Sequence, residues 1–484
     1  MVTKTWLDFP KDFFGVNANL VSMDKHWVND SLHQAMTNLG STTFRYPGGT
    51  IGNYWDWDEG KIDDTVPDSL MIRWVVDQGL KDKAFGYDME RLAQITEKTG
   101  MTPVFMLNMM SQNLDHSLRN LKKAQELGVP IKYVEMGNEL YFNIPFPLHR
   151  YPTPESYGQE CQEWLEVLKP EFPEAKFAIV GNYLERHDRQ VNWNRRVLST
   201  CTLADAVTIH LYGPLGIDGA RERKNNTAGL EGTVNTNSAT RTSPSTQTER
   251  QFWELELLND PKAVANMFTL VDRNSEKLTD FFVPTDLELW VTEFNIRDDN
   301  SRLRGTWAQS LVLMRYYLHF LKEGATLTHI HNVVGGLFPM IYTNTSGFEH
   351  IKTDTLQSKP YQLSAAGSTV KLLAYCFKGM EQYHFFETDE FAPVEDDRGD
   401  SYAPIMGIRL KNNSTERIVF FNFSSLHQPI QLPQSFQYKE FTSFRAPLGK
   451  LINGFEDIII QQGNHLTLLP PYTIIVVKKK NNIE

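Results

Sequence analysis

Two short stretches carry the residues best suited to chemistry. In "KYVEMGNELY", residues 132–141, an apolar run ends in Gly137, Asn138 and Glu139, where the chain turns toward solvent. In "DLELWVTEFN", residues 286–295, a second run ends in Glu293, Phe294 and Asn295. Near-continuous apolar runs suit parallel strands buried on both faces, so each strand carries a carboxylate to its tip. Two carboxylates at one opening are what cleavage of a glycosidic bond requires. One, as a carboxylic acid, protonates the leaving oxygen. The other attacks the anomeric carbon if the pair is ~5–5.5 Å apart, or activates a water if they are farther. The acid must keep its proton near neutral pH, and an anionic neighbour helps by raising its pKa.

Other strand ends supply supporting groups. Arg45, in "FRYPGG", is a cation able to keep a nucleophilic carboxylate ionised and to fix its orientation. Tyr212, in "IHLYG", offers a hydroxyl to the same carboxylate, and His210 lies two residues before it. Asn138 is placed to hydrogen-bond a sugar 2-hydroxyl, a contact that strengthens in the transition state. Asn108 and Asn332 end two further strands, and Trp55 and Trp57 are candidate stacking surfaces for substrate. Taken singly, each has a bland reading: a solvated loop charge, a structural ion pair, a satisfied core histidine, a ring packed under a loop. The bland readings do not predict their convergence on one rim.

That convergence needs a scaffold. From about residue 30 to residue 378, a helical segment ending near Gly or Pro is repeatedly followed by a short apolar strand. "SLHQAMTNLG" leads to "STTFRYPGG", "MERLAQITEKTG" to "MTPVFMLNM", and "AQSLVLMRYYLHFLKEG" to "ATLTHIHNVVGG". Gly40, Gly100, Gly128 and Gly324 stand where the residue after a helix adopts positive φ. Thr153-Pro154 reads as an N-cap followed by Pro in the first turn. "FFGVNANL", residues 13–20, adds a first strand, for eight in all. Count and alternation predict a (β/α)₈ barrel, whose sites form at the C-terminal strand ends. No G-x-G-x-x-G follows an early strand, which argues against a dinucleotide-binding sheet.

After Gly379, short alternating or β-branched runs such as "RIVFFNFSS" and "PYTIIVVKKK" predict an all-β sandwich. The expected domains are 1–378 and 379–484, with a polar insertion at 214–250 following the sixth strand. So long an irregular stretch is either functional, lying over the barrel mouth as a lid or cleft wall, or a floppy insertion of no consequence, and the two readings stand equal.

Composition bounds the rest. With 41% apolar and 22% charged residues the chain is globular rather than disordered. A net charge of −11 gains nothing from counterion release on nucleic acid, so that partner class is not expected. Cys161, Cys201 and Cys376 have neither disulfide-framework nor metal-site spacing, and read as buried thiols. No apolar stretch approaches the ~20 residues of a membrane span. The start lacks an apolar signal core, so the cytoplasm, or export with a signal already removed, are the locations left open. No H-E-x-x-H or comparable cluster appears, and His329 and His331 are read as pointing to opposite faces of their strand; neither cofactor nor metal is expected. Association into homo-oligomers stays open.

The two motifs also resemble something known. "MGNE" and "VTEFN" are similar to the acid/base and nucleophile motifs of the clan A retaining glycoside hydrolases, most of all the family 51 α-L-arabinofuranosidase group. "FRYPGGTIGNYWDWDEG", "IHLYG" and "HNVVGGLFPMIYT" resemble that group's second-, sixth- and eighth-strand motifs. The resemblance spans roughly residues 13–378. It implies Glu139 as acid/base, Glu293 as nucleophile, Asn138 at the sugar 2-hydroxyl, Arg45 behind the nucleophile, and His210 and Tyr212 in the pocket. The sequence departs from the group at Thr292-Glu293-Phe294-Asn295, where Asp-Glu-Trp-Asn is usual, and in the third strand. Glucuronidase, xylosidase and polysaccharide endo-hydrolase activities of the same clan therefore stand as alternatives, alongside a transglycosylase and a non-catalytic sugar-binding protein on this scaffold.

Overall fold

The computed structural model describes residues 5–18, 27–83, 87–217, 253–280, 286–297, 301–335, 339–343, 361–386, 388, 390–430, 432 and 438–479. Eight strands close a barrel: β1 (Phe14–Asn17), β2 (Thr43–Tyr46), β3 (Thr102–Met106), β4 (Tyr133–Glu135), β5 (Lys176–Val180), β6 (Ala206–Gly213), β7 (Glu288–Ile296) and β8 (Ala325–His331). Every pair is parallel and joins sequence neighbours, with β8 closing on β1. The apolar runs are what make this possible: all eight residues of β6 are buried. The polar insertion expected at 214–250 lies outside the described residues from 218 onward.

Helices α1 (Asp30–Leu39), α2 (Met89–Thr99), α3 (Leu114–Glu126), α4 (Pro154–Glu171), α5 (Trp193–Leu198), α6 (Pro261–Asp280), α7 (Trp307–Lys322) and α8 (Ala365–Phe377) connect or follow the strands. Asn29, Asp88, Asn113 and Thr153 cap the first four, each side chain accepting from an amide of the first turn. Thr153 and Ser156 form a reciprocal capping box around Pro154. Gly40, Gly100, Gly128 and Gly324 take φ of 77°, 68°, 81° and 81°, the left-handed turn expected after a helix. The three cysteines are buried and unpaired.

Registered rows fill the barrel interior. His329, Gly15 and Thr43 face one another across β8, β1 and β2, and the row above holds His331, Asn17 and Arg45. The His329 imidazole reaches Thr43 Oγ1 at 3.0 Å by passing over Gly15. A Cβ on Gly15 would lie 2.4 Å from His329 Nε2 and 2.5 Å from Thr43 Oγ1, so only glycine fits between them. Both histidines point inward. Residues two apart on a strand share a face, which corrects the expectation that His329 and His331 would diverge.

The C-terminal region forms a seven-stranded antiparallel sheet from β9 (Gln382–Phe386), β10 (Ile405–Lys411), β11 (Glu416–Asn422), β12 (Tyr438–Arg445), β13 (Ile459–Gly463), β14 (Thr473–Lys479) and the two-residue strand Leu7–Asp8. The amino-terminal segment, placed above with the barrel, thus pairs with β9 instead. Alternation divides the sheet's two faces. Ile418, Phe420, Ile475 and Val477 pack with Leu466 and Leu469 under a small second layer. Val419, Phe421, Ile474 and Val476 join the core that continues into the barrel. This is the predicted sandwich, with one face serving as a wall for the barrel.

The wall explains α7, which is buried on nearly every side although a surface helix would show a polar face. Arg315 on α7 makes two 2.6 Å bonds to Asp272 on α6, donates to the Ala403 carbonyl at 3.2 Å, and lies 5.0 Å from the Tyr402 and Phe423 rings. One side chain therefore ties two barrel helices to the β domain.

Adding a methyl group at Gly15 should be costly, because the atoms it meets belong to two separate strands. Gly15→Ala is expected to lower stability by about 1–3 kcal/mol, as overpacking does, read as a fall in thermal unfolding temperature. An unchanged transition would contradict the interior row described.

Candidate active site

The tip of β4 begins the site. Past Glu135 the chain turns through Gly137 at φ 102° and Glu139 at φ 48°. A left-handed conformation is unusual for glutamate and costs of the order of 1–3 kcal/mol, a strain commonly held at functional sites. Asn53, from the loop after β2, grips the turn by donating to the Asn138 carbonyl at 2.8 Å and accepting from its amide at 3.2 Å. The turn thus presents the Asn138 and Glu139 side chains inward, both buried.

Arg45 lies below them, wholly buried, with its three nitrogens committed separately. Nε donates to Glu135 Oε2 at 2.7 Å, Nη1 to Glu293 Oε1 at 2.7 Å, and Nη2 to Asn138 Oδ1 at 2.8 Å. Glu293 also accepts from the Tyr212 hydroxyl at 2.8 Å. Glu139 Oε1 meets His210 Nδ1 at 3.0 Å and the Tyr141 hydroxyl at 3.2 Å. The same His210 nitrogen lies 3.8 Å from Glu293 Oε2, while Nε2 meets Thr292 Oγ1 at 3.2 Å. Carboxylate oxygens of Glu139 and Glu293 and a nitrogen of His210 all fall within 4.8 Å of one another.

The two acids share burial but not the direction of their shift. Burial pushes the Glu139 carboxyl up, and the charge of Glu293 adds to this against His210 and Arg45, leaving it above the usual carboxylate range. Burial pushes Glu293 up too, but His210, His331, Arg45 and the Tyr212 hydroxyl outweigh it and hold the carboxyl well below that range. Burial lowers the His331 imidazole to about 4, so near neutral pH it does not act as a cation beside Glu293. The two carboxyls are thus pushed in opposite directions, Glu139 toward holding its proton and Glu293 toward losing it.

The remaining residues singled out in the sequence fall into two groups. Asn332 ends β8 at the rim, with its amide 3.4 Å from His331 Nε2 and its Oδ1 buried without a protein partner. Asn108, Trp55 and Trp57 serve packing rather than the cavity. Asn108 Oδ1 accepts from the Met110 and Ser111 amides, and its Nδ2 donates to Ser111 Oγ and the Trp55 carbonyl, so its capacity is spent within the loop. Trp57 stacks on Phe105 at 5.6 Å and edges Tyr46 at 5.0 Å, and Trp55 is wholly buried beside Tyr87. Neither ring offers an open sugar platform.

Sequence reasoning missed Glu135, Thr292, Tyr141, Asn53 and Asn17. Glu135 sits inside an apolar run, where its charge is the anomaly that could have exposed it. Asn17 occupies the inner row beside Arg45, and neither polar atom of its side chain has a protein partner.

Among the described residues, two groups have the spacing of metal ligands: Glu139, His210 and Glu293, and Asp56, Asp58 and His116. In the first, a cation would sit beside a guanidinium already 2.7 Å from Glu293. In the second, Asp58 is paired with Arg119, and Asp56 accepts from the Asp58 and Glu59 amides. Both donor sets are occupied by hydrogen-bond donors and suit ion pairing better than metal. No described helix is long and apolar enough to cross a membrane.

No protein-family model matches the chain. Over 219 residues it is 26% identical to a protein of Aspergillus clavatus named "Probable alpha-L-arabinofuranosidase C", an alignment covering 39% of this chain. The chain spans about two fifths of the length of the curated relatives it matches, 41% for this one. It is also similar to the structure of a family 51 alpha-L-arabinofuranosidase of Bifidobacterium longum, with a TM-score of 0.66 at 13% identity over 98% of this chain and 97% of that one. A 4-O-alpha-L-rhamnosyl-beta-D-glucuronidase of Fusarium oxysporum gives 0.55 at 12% identity, covering 98% of each. These likenesses establish the barrel with its β domain as a fold shared by glycoside hydrolases.

The Tyr212 hydroxyl donates to Glu293 and stabilises its charged form. In Tyr212→Phe, the ionisation of Glu293 followed by carboxyl NMR should rise by roughly one pH unit, the worth of one hydrogen bond to a charged group. An unmoved titration would remove Tyr212 from the site's electrostatics.

Proposed function

We propose that the protein is a retaining glycoside hydrolase of arabinofuranosidase-like specificity, acting by double displacement. The observation that carries this reading is the pairing of Glu139 and Glu293. Their oxygens lie within 4.8 Å, which suits direct attack and leaves no room for the intervening water of an inverting enzyme. Their surroundings push them apart, raising Glu139 toward the acid form and holding Glu293 toward the ionised one. Substrate choice rests on the names of the relatives, α-L-arabinofuranosides being the expected class.

In the first half-reaction Glu293 attacks the anomeric carbon while Glu139 gives its proton to the departing oxygen. The C–O bond to the leaving group breaks as the ester to Glu293 forms. Arg45 and Tyr212 keep the attacking carboxylate in one orientation. Asn138 is fixed by Arg45 through its oxygen, and its Nδ2, buried and without a protein partner, is the donor available to a sugar hydroxyl. Esterification removes the charge of Glu293, one of the two influences raising Glu139. Glu139 then takes a proton from the attacking water more readily than it would beside an anion. Water reaches the anomeric carbon, the ester breaks, and both carboxyls return to their starting states.

Glu293→Ala should lose roughly 10⁴-fold or more of turnover on aryl α-L-arabinofuranosides while retaining sugar binding. Near-normal rates would refute Glu293 as nucleophile. A panel that includes β-D-glucuronides and β-D-xylosides tests the substrate class, since turnover confined to these would move the specificity without altering the mechanism. Glu139→Ala should slow poor leaving groups by about 10²–10⁴-fold and activated ones far less. Equal slowing of both would remove its acid role.

A further inference from the structure

Glu135 takes no part in the bond changes just described, yet it occupies the centre of the site's electrostatics. Its side chain and that of Arg45 are both wholly inaccessible, and they are joined at 2.7 Å. Arg45 already has a counter-ion in Glu293, so a second carboxylate is not needed to neutralise it. Buried charge is expensive unless its geometry serves a purpose. Here the geometry is specific: Glu135 holds Nε, the one guanidinium nitrogen that faces neither Glu293 nor Asn138. With Nε fixed the guanidinium plane cannot roll, and its other two nitrogens stay on their partners.

We propose that Glu135 is a positioning residue, locking the plane of Arg45 and offsetting the guanidinium charge at Glu139 and at the reacting sugar. Counting the groups joined directly to the guanidinium, Arg45 as +1 and Glu135 and Glu293 as −1 each, the ion-paired cluster carries one net negative charge. That sign favours a proton on Glu139 and the positive charge that grows on the sugar ring in an oxocarbenium-like transition state. Without Glu135 the count is zero, and Glu293 alone opposes the guanidinium at Glu139. Among the described residues, the other charged or titratable groups facing this cluster are His210 and Tyr212 on β6, Arg297 just past β7, His329 and His331 on β8, Tyr141 beyond β4 and Tyr183 beyond β5. Burial lowers His329 to about 3 and His331 to about 4, so neither supplies a competing cation near neutral pH.

The kinetic half of this inference rests on the hydrolase reading, but its electrostatic half does not. Glu135→Gln keeps an acceptor for Arg45 Nε and removes only the charge. Carboxyl NMR of the free protein should then show Glu139 titrating about one pH unit lower, the effect of one unit charge at close range in a protein interior. The alkaline limb of kcat/KM should fall by the same amount, and kcat below that limb should drop severalfold, because the charge that favours an oxocarbenium-like transition state is gone. Glu135→Asp keeps the charge but draws it back from Nε. It should leave the Glu139 titration in place and reduce kcat roughly tenfold or more through the loosened Arg45. An unshifted Glu139 in the Gln variant, or an equal shift in the Asp variant, overturns the charge role. Wild-type kcat in the Asp variant overturns the positioning role, and that test stands even if the Gln variant does not fold. Absence of glycoside turnover in the wild-type protein would count against the proposed function while leaving the NMR result to decide Glu135.

Discussion

The site depends on one buried guanidinium whose three nitrogens are assigned to three different acceptors. Arg45 comes from β2, Glu135 from β4, Asn138 from the turn after β4, and Glu293 from β7. A cation removed from water must be fully paired to be tolerated, so the fold has to bring these elements to one level. The barrel does so by register: the row containing Arg45 also holds Asn17 and His331, and the row beneath it holds Thr43, Gly15 and His329. The lower row carries no persistent charge near neutral pH, since His329 is held neutral by burial. The charge in the barrel interior is thereby concentrated at the end where the loops open.

Much of this was legible in the sequence, and for physical reasons. Gly40, Gly100, Gly128 and Gly324 marked helix ends because their backbone conformation is one other residues resist. The strands announced themselves as apolar runs because parallel strands are covered on both faces. Glu139, Glu293, Arg45, Asn138, His210 and Tyr212 were recognisable as polar residues at the tips of such runs, and the structure brings all six together. The illegible residues were those whose role depends on a three-dimensional partner. Glu135 has meaning only opposite Arg45 Nε. Asn108 looks like a ligand from its position after β3, but its amide closes a turn on Ser111. Trp55 and Trp57 look like sugar platforms, but Phe105, Tyr46 and Tyr87 cover them. Leu7–Asp8 joins the distant sheet through two residues, too short a run to show any period.

The β domain bears on the site through α7. The helix is apolar on the side facing the sheet as well as on the side facing the barrel, and Arg315 fixes it to α6 and to the Ala403 carbonyl. Phe294, next to Glu293, packs edge-on against Tyr317 at 4.8 Å and Phe320 at 4.9 Å of that helix. Gln309 of α7 donates to Asn295 Oδ1 at 3.2 Å, and Asn295 in turn binds the His331 carbonyl. The strand segment that carries Glu293 is thus held from outside the barrel by a helix whose own position is set by the second domain. The nucleophilic role proposed for Glu293 would gain from such backing, because the cost of misplacement at a reacting atom is steep.

The polar atoms the protein leaves unpaired bear on the ligand. Asn17 Nδ2 and Oδ1, Asn138 Nδ2 and Asn332 Oδ1 are all buried and have no protein partner. They lie on inner or rim positions of β1, β4 and β8, around the same guanidinium. An unpaired buried amide group costs roughly 1–3 kcal/mol, and three carboxamides so placed are hard to explain as packing. A ligand rich in hydroxyl groups, each both donor and acceptor, can satisfy donors and acceptors alike without knowing in advance which it will meet. An apolar ligand would leave the same cost in place, and an anion would match only the donors while facing Glu293 at close range. The unpaired atoms thus suit the hydroxyl-rich substrate proposed from the two carboxyls.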